Sequence, residues 1–255
     1  MSTRFAADSG SRKAERLRLA VQPVVVVLLV AAVLGWAFGQ DLSEVTARSI
    51  NATTIVSLTW QHFLLSLAVA AIVVLVAVPL GVLLSRRWAR RIAPLVIGIA
   101  NVGQAAPSVG LLVLFFIVTG GTAGFWIAVL PIAVYALLPV LRNTMVGLQQ
   151  VDPALVDAGR GIGMSATKVL VRIELPLSVP YILAGLRTAL VLAVGTATLA
   201  LFVGAGGLGE LIDTGYKLNN WTVMCVGSVL AMALALLVDW LAALAEEYLS
   251  PRGLR

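Results

Sequence analysis

Cysteine, histidine and charged residues are scarce in this chain of 255 residues. It has one cysteine, Cys225, and one histidine, His62. Neither an internal disulfide bond nor a cysteine- or histidine-based metal site is therefore expected. Only 12% of the residues are charged, about half the usual share for a soluble domain. The sequence also has no G-x-x-x-x-G-K-[ST] motif, so we expect no ATP-binding P-loop here.

Apolar residues are abundant instead. They make up 60% of the chain, and the mean hydropathy is +1.00. A soluble fold of this length cannot hide that much apolar surface from water, which excludes an ordinary soluble enzyme. Six apolar stretches approach the roughly 20 residues needed to cross a bilayer. They are Val21–Phe38, Trp60–Leu84, Ile92–Val118, Phe125–Leu141, Val179–Val203 and Trp221–Ala245.

The distribution of lysine and arginine predicts the orientation of these spans. With both termini inside, sixteen of the eighteen basic residues fall on the inner side, as the positive-inside rule requires. The net charge of +6 is thus a topology signal, and no nucleic-acid partner is expected. The inner residues are Arg4, Arg12, Lys13, Arg16, Arg18, Arg86, Arg87, Arg90, Arg91, Arg142, Arg160, Lys168, Arg172, Arg187, Arg252 and Arg255; Arg48 and Lys217 lie outside.

The predicted organisation has four parts. A basic cytoplasmic tail covers 1–20, and the first span with an outer segment covers 21–58. The core, 59–245, contains a long inner loop at 142–176, and a cytoplasmic tail covers 246–255.

The inner loop is predicted to form two short helices. Asp152 can cap the first, with a proline at the next position, where its missing N–H costs nothing. The second is predicted at Ala166–Glu174, capped by Ser165, and ends before Pro176. Glycines are expected to end the first helix; they are Gly159, Gly161 and Gly163.

A spaced motif occupies this loop. Asp157-Ala158-Gly159 is followed by three residues, Gly163, nine residues and Ile173-x-Leu175-Pro176. The pattern resembles the EAA loop of ABC importer permeases, with aspartate for glutamate and glycine for the second alanine. The resemblance implies short coupling helices that dock into a groove of an ATP-binding subunit. The alternative is an amphipathic connector lying on the membrane surface.

The resemblance extends over roughly Trp60 to Trp221 and is closest to permeases for glycine betaine, carnitine and choline. Methionine-type and phosphonate-type permeases share part of the glycine-rich stretch, so that stretch alone does not choose the branch. The segments that carry the resemblance are 101–108, 135–144, 195–200 and 203–212.

Polar residues interrupt the third span. Asn101, Gln104 and Ser108 are spaced i, i+3 and i+7, which places them on one face of a continuous helix, and Pro107 frees a nearby carbonyl. Polar groups in hydrocarbon need partners. These residues are either hydrogen-bonding contacts between helices or the lining of a translocation path.

The glycines after the fifth span form a second candidate site. Gly204, Gly206 and Gly209 match the dinucleotide fingerprint, but that fingerprint requires a preceding strand, and an apolar span precedes it here. Together with Gly207, they are predicted to form either a flexible re-entrant turn on the outer side or a hinge of an outer gate.

A few further polar and aromatic residues lie near span ends. Asp239 is expected at the membrane interface, with a pair to Arg187 as the alternative. His62, Trp60 and Trp221 are expected to belong to an aromatic belt at the outer surface.

These observations predict an all-α membrane protein with about six spans, and the resemblance implies the type I (MetI-like) ABC importer fold. By that resemblance it would be a non-catalytic permease subunit in a bacterial plasma or inner membrane, importing a quaternary ammonium solute. Its expected partners are two ATP-binding subunits that bind ATP and Mg, a second permease (identical or related) and an external solute-binding protein. No cofactor of its own is expected. The alternatives are a permease for another solute such as methionine, a secondary transporter or a membrane-embedded enzyme.

Overall fold

The computed structural model describes residues 2–249, with side chains from Leu19 onward. The regular elements of this part are all helical, as predicted. They are α1 (Ser2–Phe38), α2 (Glu44–Ser49), α3 (Ala52–Leu84), α4 (Ala93–Ala105), α5 (Ser108–Val118), α6 (Phe125–Gln149), α7 (Pro153–Gly161), α8 (Ala166–Val169), a π-helical turn (Leu170–Glu174), α9 (Leu175–Ala197), a 3₁₀ turn (Thr198–Val203), α10 (Gly209–Lys217) and α11 (Trp221–Leu249).

Five helical segments are long and apolar enough to cross a membrane, and the bent pair α4–α5 supplies a sixth crossing if it counts as one span. The five are Leu19–Phe38, Ala52–Leu84, Phe125–Gln149, Ala166–Val203 and Trp221–Leu249. The basic side chains of 4–18 and 252–255 lie outside the described side chains. The N-in, C-in orientation and the four-part division therefore stay predictions.

The third span is not the single helix that we predicted. It breaks between α4 and α5, whose axes meet at 99°. Ala106 has the extended conformation (φ −64°, ψ 141°) that a following proline imposes on its neighbour. Pro107 cannot donate a backbone hydrogen bond, so the helix ends there and restarts at Ser108.

The fourth span is longer than predicted, since α6 continues beyond Leu141 to Gln149. Its inner end is a packed part of the protein. A methyl group placed on Gly81 of α3 would lie 2.8 Å from the Thr144 side chain, and one on Gly147 would lie 3.0 Å from Cβ of Ser178 in α9. Small residues allow α3, α6 and α9 to approach closely, and this contact stabilises the extra turns.

The helices α3, α6 and α9 form the centre of the fold. Their buried apolar side chains, among them Val73, Leu141 and Ala193, join one cluster to which α4 and α5 also contribute. A second cluster lies where α11 packs on α1 and α9, around Val194 and Val226. Two of the three central helices, α6 and α9, flank the inner loop.

Polar contacts fix α1 to the rest of the bundle. Arg187 of α9 donates to both carboxylate oxygens of Asp239 in α11, at 2.5 and 2.8 Å. Gln22 of α1 donates to Asp239 at 3.0 Å, and Trp240 donates to the Leu19 carbonyl at 2.7 Å. The alternative pair of Asp239 with Arg187 therefore forms, and the expected position of Asp239 at the membrane interface stays a prediction. A bidentate pair satisfies both charges inside the bundle.

Candidate functional site

The first helix of the inner loop forms as the sequence predicts. Asp152 accepts a hydrogen bond from the Ala154 N–H at 2.9 Å and caps α7. At the other end Gly163 adopts φ +88°, and hydrogen bonds run from Gly163 to Arg160 and from Met164 to Gly159. This is the Schellman arrangement, in which a glycine in left-handed conformation stops a helix.

Gly163 alone among the three predicted glycines turns the chain, since Gly159 and Gly161 lie within α7. Gly159 is buried, and a methyl group there would meet Cδ1 of Ile173 at 2.7 Å. Its role is thus to let α7 pack on the turn that leads into α9.

The second predicted helix does not end before Pro176. Ser165 accepts from the Lys168 N–H at 3.3 Å and caps α8 as expected. The chain then widens into the π-helical turn and continues directly as α9. The Leu175 N–H donates to the Leu170 carbonyl, five residues back. A π turn shifts the hydrogen-bond register, and Pro176 falls at the start of α9, where a proline is tolerated.

The surface of α7 is open. Asp157 and Ala158 are exposed, and the neighbouring apolar side chains Leu155 and Ile162 are 48% and 79% exposed. Within the described part of the chain Asp157 forms no ion pair. Exposed apolar side chains beside a charge are common where another protein docks.

An ion pair that the sequence did not reveal joins this loop to α3. Arg86, just beyond the end of α3, donates to the two carboxylate oxygens of Glu174 at 2.7 and 3.3 Å. The side chains are 31% and 14% exposed. Glu174 lies inside the Ile173-x-Leu175-Pro176 motif. The only feature of the sequence that indicates this ion pair is an acidic residue predicted on the same side of the membrane as the four arginines within 86–91.

The polar residues of the third span do not share one face. The break after Ala105 separates Asn101 and Gln104 on α4 from Ser108 on α5, so the predicted common face is wrong. Asn101 instead accepts a hydrogen bond from Arg142 of α6 at 3.0 Å. Pro107 stands at the break itself.

The outer glycine-rich segment is a packed structure. Gly204, Gly206 and Gly207 have φ of 64°, 79° and 94°, which side-chain-bearing residues rarely adopt. Gly206, Gly207 and Gly209 are buried. A methyl group on Gly209 would collide with the Thr198 carbonyl oxygen, and one on Gly206 with the amide oxygen of Gln61.

His62 holds this segment against α3. Its Nδ1 accepts from the Leu208 N–H at 3.2 Å, so its Nε2–H is the donor to the Val194 carbonyl at 2.9 Å. Gln61 accepts from the Gly207 N–H at 3.3 Å. Placing His62 in an aromatic belt was therefore wrong, because the ring is fully buried. Trp60 and Trp221 are exposed, at 58% and 71%.

Metal-binding clusters are not found in the described residues: no three His, Cys, Asp or Glu side chains there are arranged to hold an ion. Three groups are candidates for a functional role. They are the exposed helix α7 of the inner loop, the hydrogen-bonded glycine segment after α9, and the polar residues near the break between α4 and α5.

Comparison with known proteins identifies the family. A profile described as "Binding-protein-dependent transport system inner membrane component" matches residues 77–250. The chain belongs to this family and is a multi-pass permease component of the inner membrane.

Individual relatives agree with the predicted branch. The carnitine transport permease protein OpuCB of Listeria monocytogenes is 38% identical over 211 residues, covering 83% of this chain and 95% of the relative. The choline transport system permease protein OpuBB of Bacillus subtilis is 40% identical over 197 residues, covering 77% and 89%. The resemblance to osmoprotectant permeases is therefore confirmed.

A solved structure confirms the fold. A chain of the MetNI methionine ABC transporter in an inward-facing conformation superposes with a TM-score of 0.70 at 24% identity. It covers 82% of this chain, and all of that chain is matched. The predicted MetI-like architecture is confirmed.

Proposed function

We propose that this permease imports a compatible solute of the quaternary ammonium class, such as glycine betaine, carnitine or choline. The observation that carries the proposal is the identity of 38% and 40% to a carnitine and a choline permease, over most of each relative. The 24% identical methionine transporter supports the fold alone.

The proposed complex contains two permeases, identical or related, two ATP-binding subunits and an external solute-binding protein. This chain is proposed to catalyse no reaction itself, and ATP and Mg are bound by the partner subunits. The absence of a P-loop motif from the sequence supports that division of labour.

The exposed face of α7, with Asp157 and Ala158, is the proposed docking surface for an ATP-binding subunit. A displacement of α7 would reach the membrane core by two contacts. Gly159 packs on Ile173, and the adjacent Glu174 is paired with Arg86 at the end of α3. Such a contiguous set of contacts is what mechanical coupling needs. Gly163, Leu175 and Pro176 shape the loop and its return into the membrane.

Solute is proposed to pass near the break of the third span, past Asn101, Gln104, Pro107 and Ser108. The glycine segment formed by Gly204, Gly206, Gly207 and Gly209 is proposed to form part of the outer gate. Because this segment is hydrogen-bonded to α3 and packed on Thr198, opening would move it as a unit with its neighbours.

Uptake by cells tests the substrate class. A strain lacking this gene should lose high-affinity uptake of at least one of glycine betaine, carnitine and choline, and the wild-type gene should restore it. Unchanged uptake of all three, with reduced methionine uptake, would refute the proposed branch. Co-purification of an ATP-binding protein with the tagged permease tests the assembly in the same strain.

A further inference from the structure

Arg142 is a charged side chain inside a membrane-spanning helix. It lies seven residues before the end of α6 (Phe125–Gln149), or about 10 Å along the axis. The two residues before it, Val140 and Leu141, are fully buried in the core, whereas Arg142 is exposed. The Arg142 side chain therefore projects from the face of α6 that points away from α3 and α9.

A single contact orients the guanidinium. Its Nη2 donates to the Asn101 side-chain oxygen at 3.0 Å, and Asn101 lies eight residues after the start of α4. Arg142 forms no ion pair with any residue whose side chain is described. A guanidinium has five N–H donors, and most of those on Arg142 remain available to water or to a solute.

Lipid is an unfavourable environment for this group. An arginine in the bilayer interior is costly, and such residues face a water-filled cavity or another protein surface. Asn101, the α4 residue that Arg142 contacts, belongs with Gln104 to the proposed translocation path beside the break of the third span. The following inference rests on the proposed function.

We propose that Arg142, oriented by Asn101, is a specificity-determining residue that favours solutes carrying a carboxylate. Glycine betaine and carnitine combine a trimethylammonium group with a carboxylate, which a guanidinium binds through two parallel hydrogen bonds. Choline has the same cationic head with a hydroxyl in place of the carboxylate. An unpaired arginine in the path repels that cation without a compensating contact.

Reconstituted complexes provide the test. Wild-type, Arg142→Gln and Arg142→Lys permeases are assembled with the same ATP-binding subunits and saturating binding protein, and initial uptake of glycine betaine, carnitine and choline is measured. Saturation removes the affinity of the binding protein from the comparison. Arg142→Gln keeps a side chain that can bond Asn101 but removes the charge. Arg90→Gln, which removes an exposed arginine from the inner connection, is the matched control.

The expected result is a fall of about tenfold in uptake of the carboxylate solutes relative to choline in Arg142→Gln. Arg142→Lys should lie in between, since lysine keeps the charge but not the bidentate geometry. Arg90→Gln should behave as wild type. If choline is not carried by the wild type, the tenfold loss is read on the carboxylate solutes directly.

Three results would overturn the inference. The first is equal loss of all three solutes in Arg142→Gln, and the second is a wild-type complex that carries choline alone. The third is failure of Arg142→Gln and Arg142→Lys to hold the second permease, as shown by native mass, which would make Arg142 an interface residue. Each leaves the proposed function standing. A wild-type complex that carries none of the three solutes refutes both.

Discussion

The inner loop and the outer glycine segment are both turns built on glycines with positive φ, but they differ in how far the rest of the chain covers them. On the outer side the backbone N–H groups of Gly207 and Leu208 are bonded to Gln61 and His62, and the segment is largely buried. On the inner side α7 leaves Asp157 and Ile162 exposed. The outer turn is covered by its own chain, whereas the inner one leaves exposed the surface that we propose for docking. Substitutions on the outer side should therefore affect folding, and those on α7 should affect assembly.

The largest difference is expected between two glycine-to-alanine substitutions. Gly209→Ala places a methyl group against the Thr198 carbonyl, and such overpacking costs about 3 kcal/mol. Gly161→Ala meets no atom within 4 Å and should be neutral or stabilising by up to about 1 kcal/mol. Thermal unfolding of the detergent-purified protein should show a Tm lower by about 6 °C or more for Gly209→Ala only. Similar Tm values for the two variants would contradict this account.

Loss of the histidine contacts should have the next largest effect. His62→Leu leaves the Leu208 N–H without its acceptor and the Val194 carbonyl without its side-chain donor, which costs about 1–3 kcal/mol. Gln61→Ala removes two long hydrogen bonds of an exposed side chain, one from the Gly207 N–H and one to Ser57, and should cost about 0.5 kcal/mol or less. Limited proteolysis from the outer side is the second readout, and cleavage within 204–209 should increase in His62→Leu. A wild-type Tm and cleavage pattern in that variant would show that the ring does not hold the segment.

The inner ion pair should have a moderate effect on stability and a larger one on coupling. Glu174→Arg opposes Arg86 and should cost about 1–3 kcal/mol, and the reversed pair Arg86→Glu with Glu174→Arg should restore most of it. Substrate-stimulated ATP hydrolysis should fall in the single variant and recover in the double one. Arg87→Glu is the control, because Arg87 is exposed beside Arg86. Equal defects in the single and double variants would show that the pairing itself is not needed.

The helices and the caps of the inner loop could be predicted from sequence because their causes are local. Apolar runs, the side-chain cap at Asp152 and the glycine stop at Gly163 depend on residues a few positions apart. The break at Pro107 also has a local cause, although the length of the apolar run predicts one continuous helix. The helix continues through Pro176 because the π turn shifts the hydrogen-bond register before it. The spacing of residues in the sequence does not predict a π turn.

The tertiary contacts could not be predicted because they join residues far apart in the chain. Arg86 and Glu174 are 88 residues apart, and His62 and Leu208 are 146 apart. In each case the polar side chain was visible in the sequence, but its partner depends on which helices pack together. The same holds for Arg142, whose contact with Asn101 joins residues 41 positions apart.

Strain without a steric clash is expected at the stop of α7. Gly163 has φ +88°, and a methyl group there would meet no atom within 4 Å. Gly163→Val should therefore cost only conformational energy, about 1–2 kcal/mol, and Gly163→Asn should cost less, since asparagine tolerates this region. Both should insert into the membrane, and retention of the ATP-binding subunit should fall more for valine. Equal retention by wild type, asparagine and valine variants would show that the shape of this turn does not affect docking.

The smallest effect on stability is expected at Asp157, where the effect on assembly should be clearest. Asp157 is exposed and has no ion-pair partner among the described residues, so Asp157→Arg should change the free energy of unfolding by about 0.5 kcal/mol or less. Reversing the charge in the centre of a docking surface should nevertheless weaken binding of the ATP-binding subunit. Thr167→Arg places an arginine at an exposed position on α8 and serves as the control for the added positive charge. Quantitative pull-down at two salt concentrations is the measurement, and the Asp157→Arg defect should be smaller at the higher one because salt screens the repulsion. Full retention of the ATP-binding subunit by Asp157→Arg at low salt would exclude this face of α7 as the docking surface. A charge reversal at the centre of a contact surface should weaken binding when screening is least.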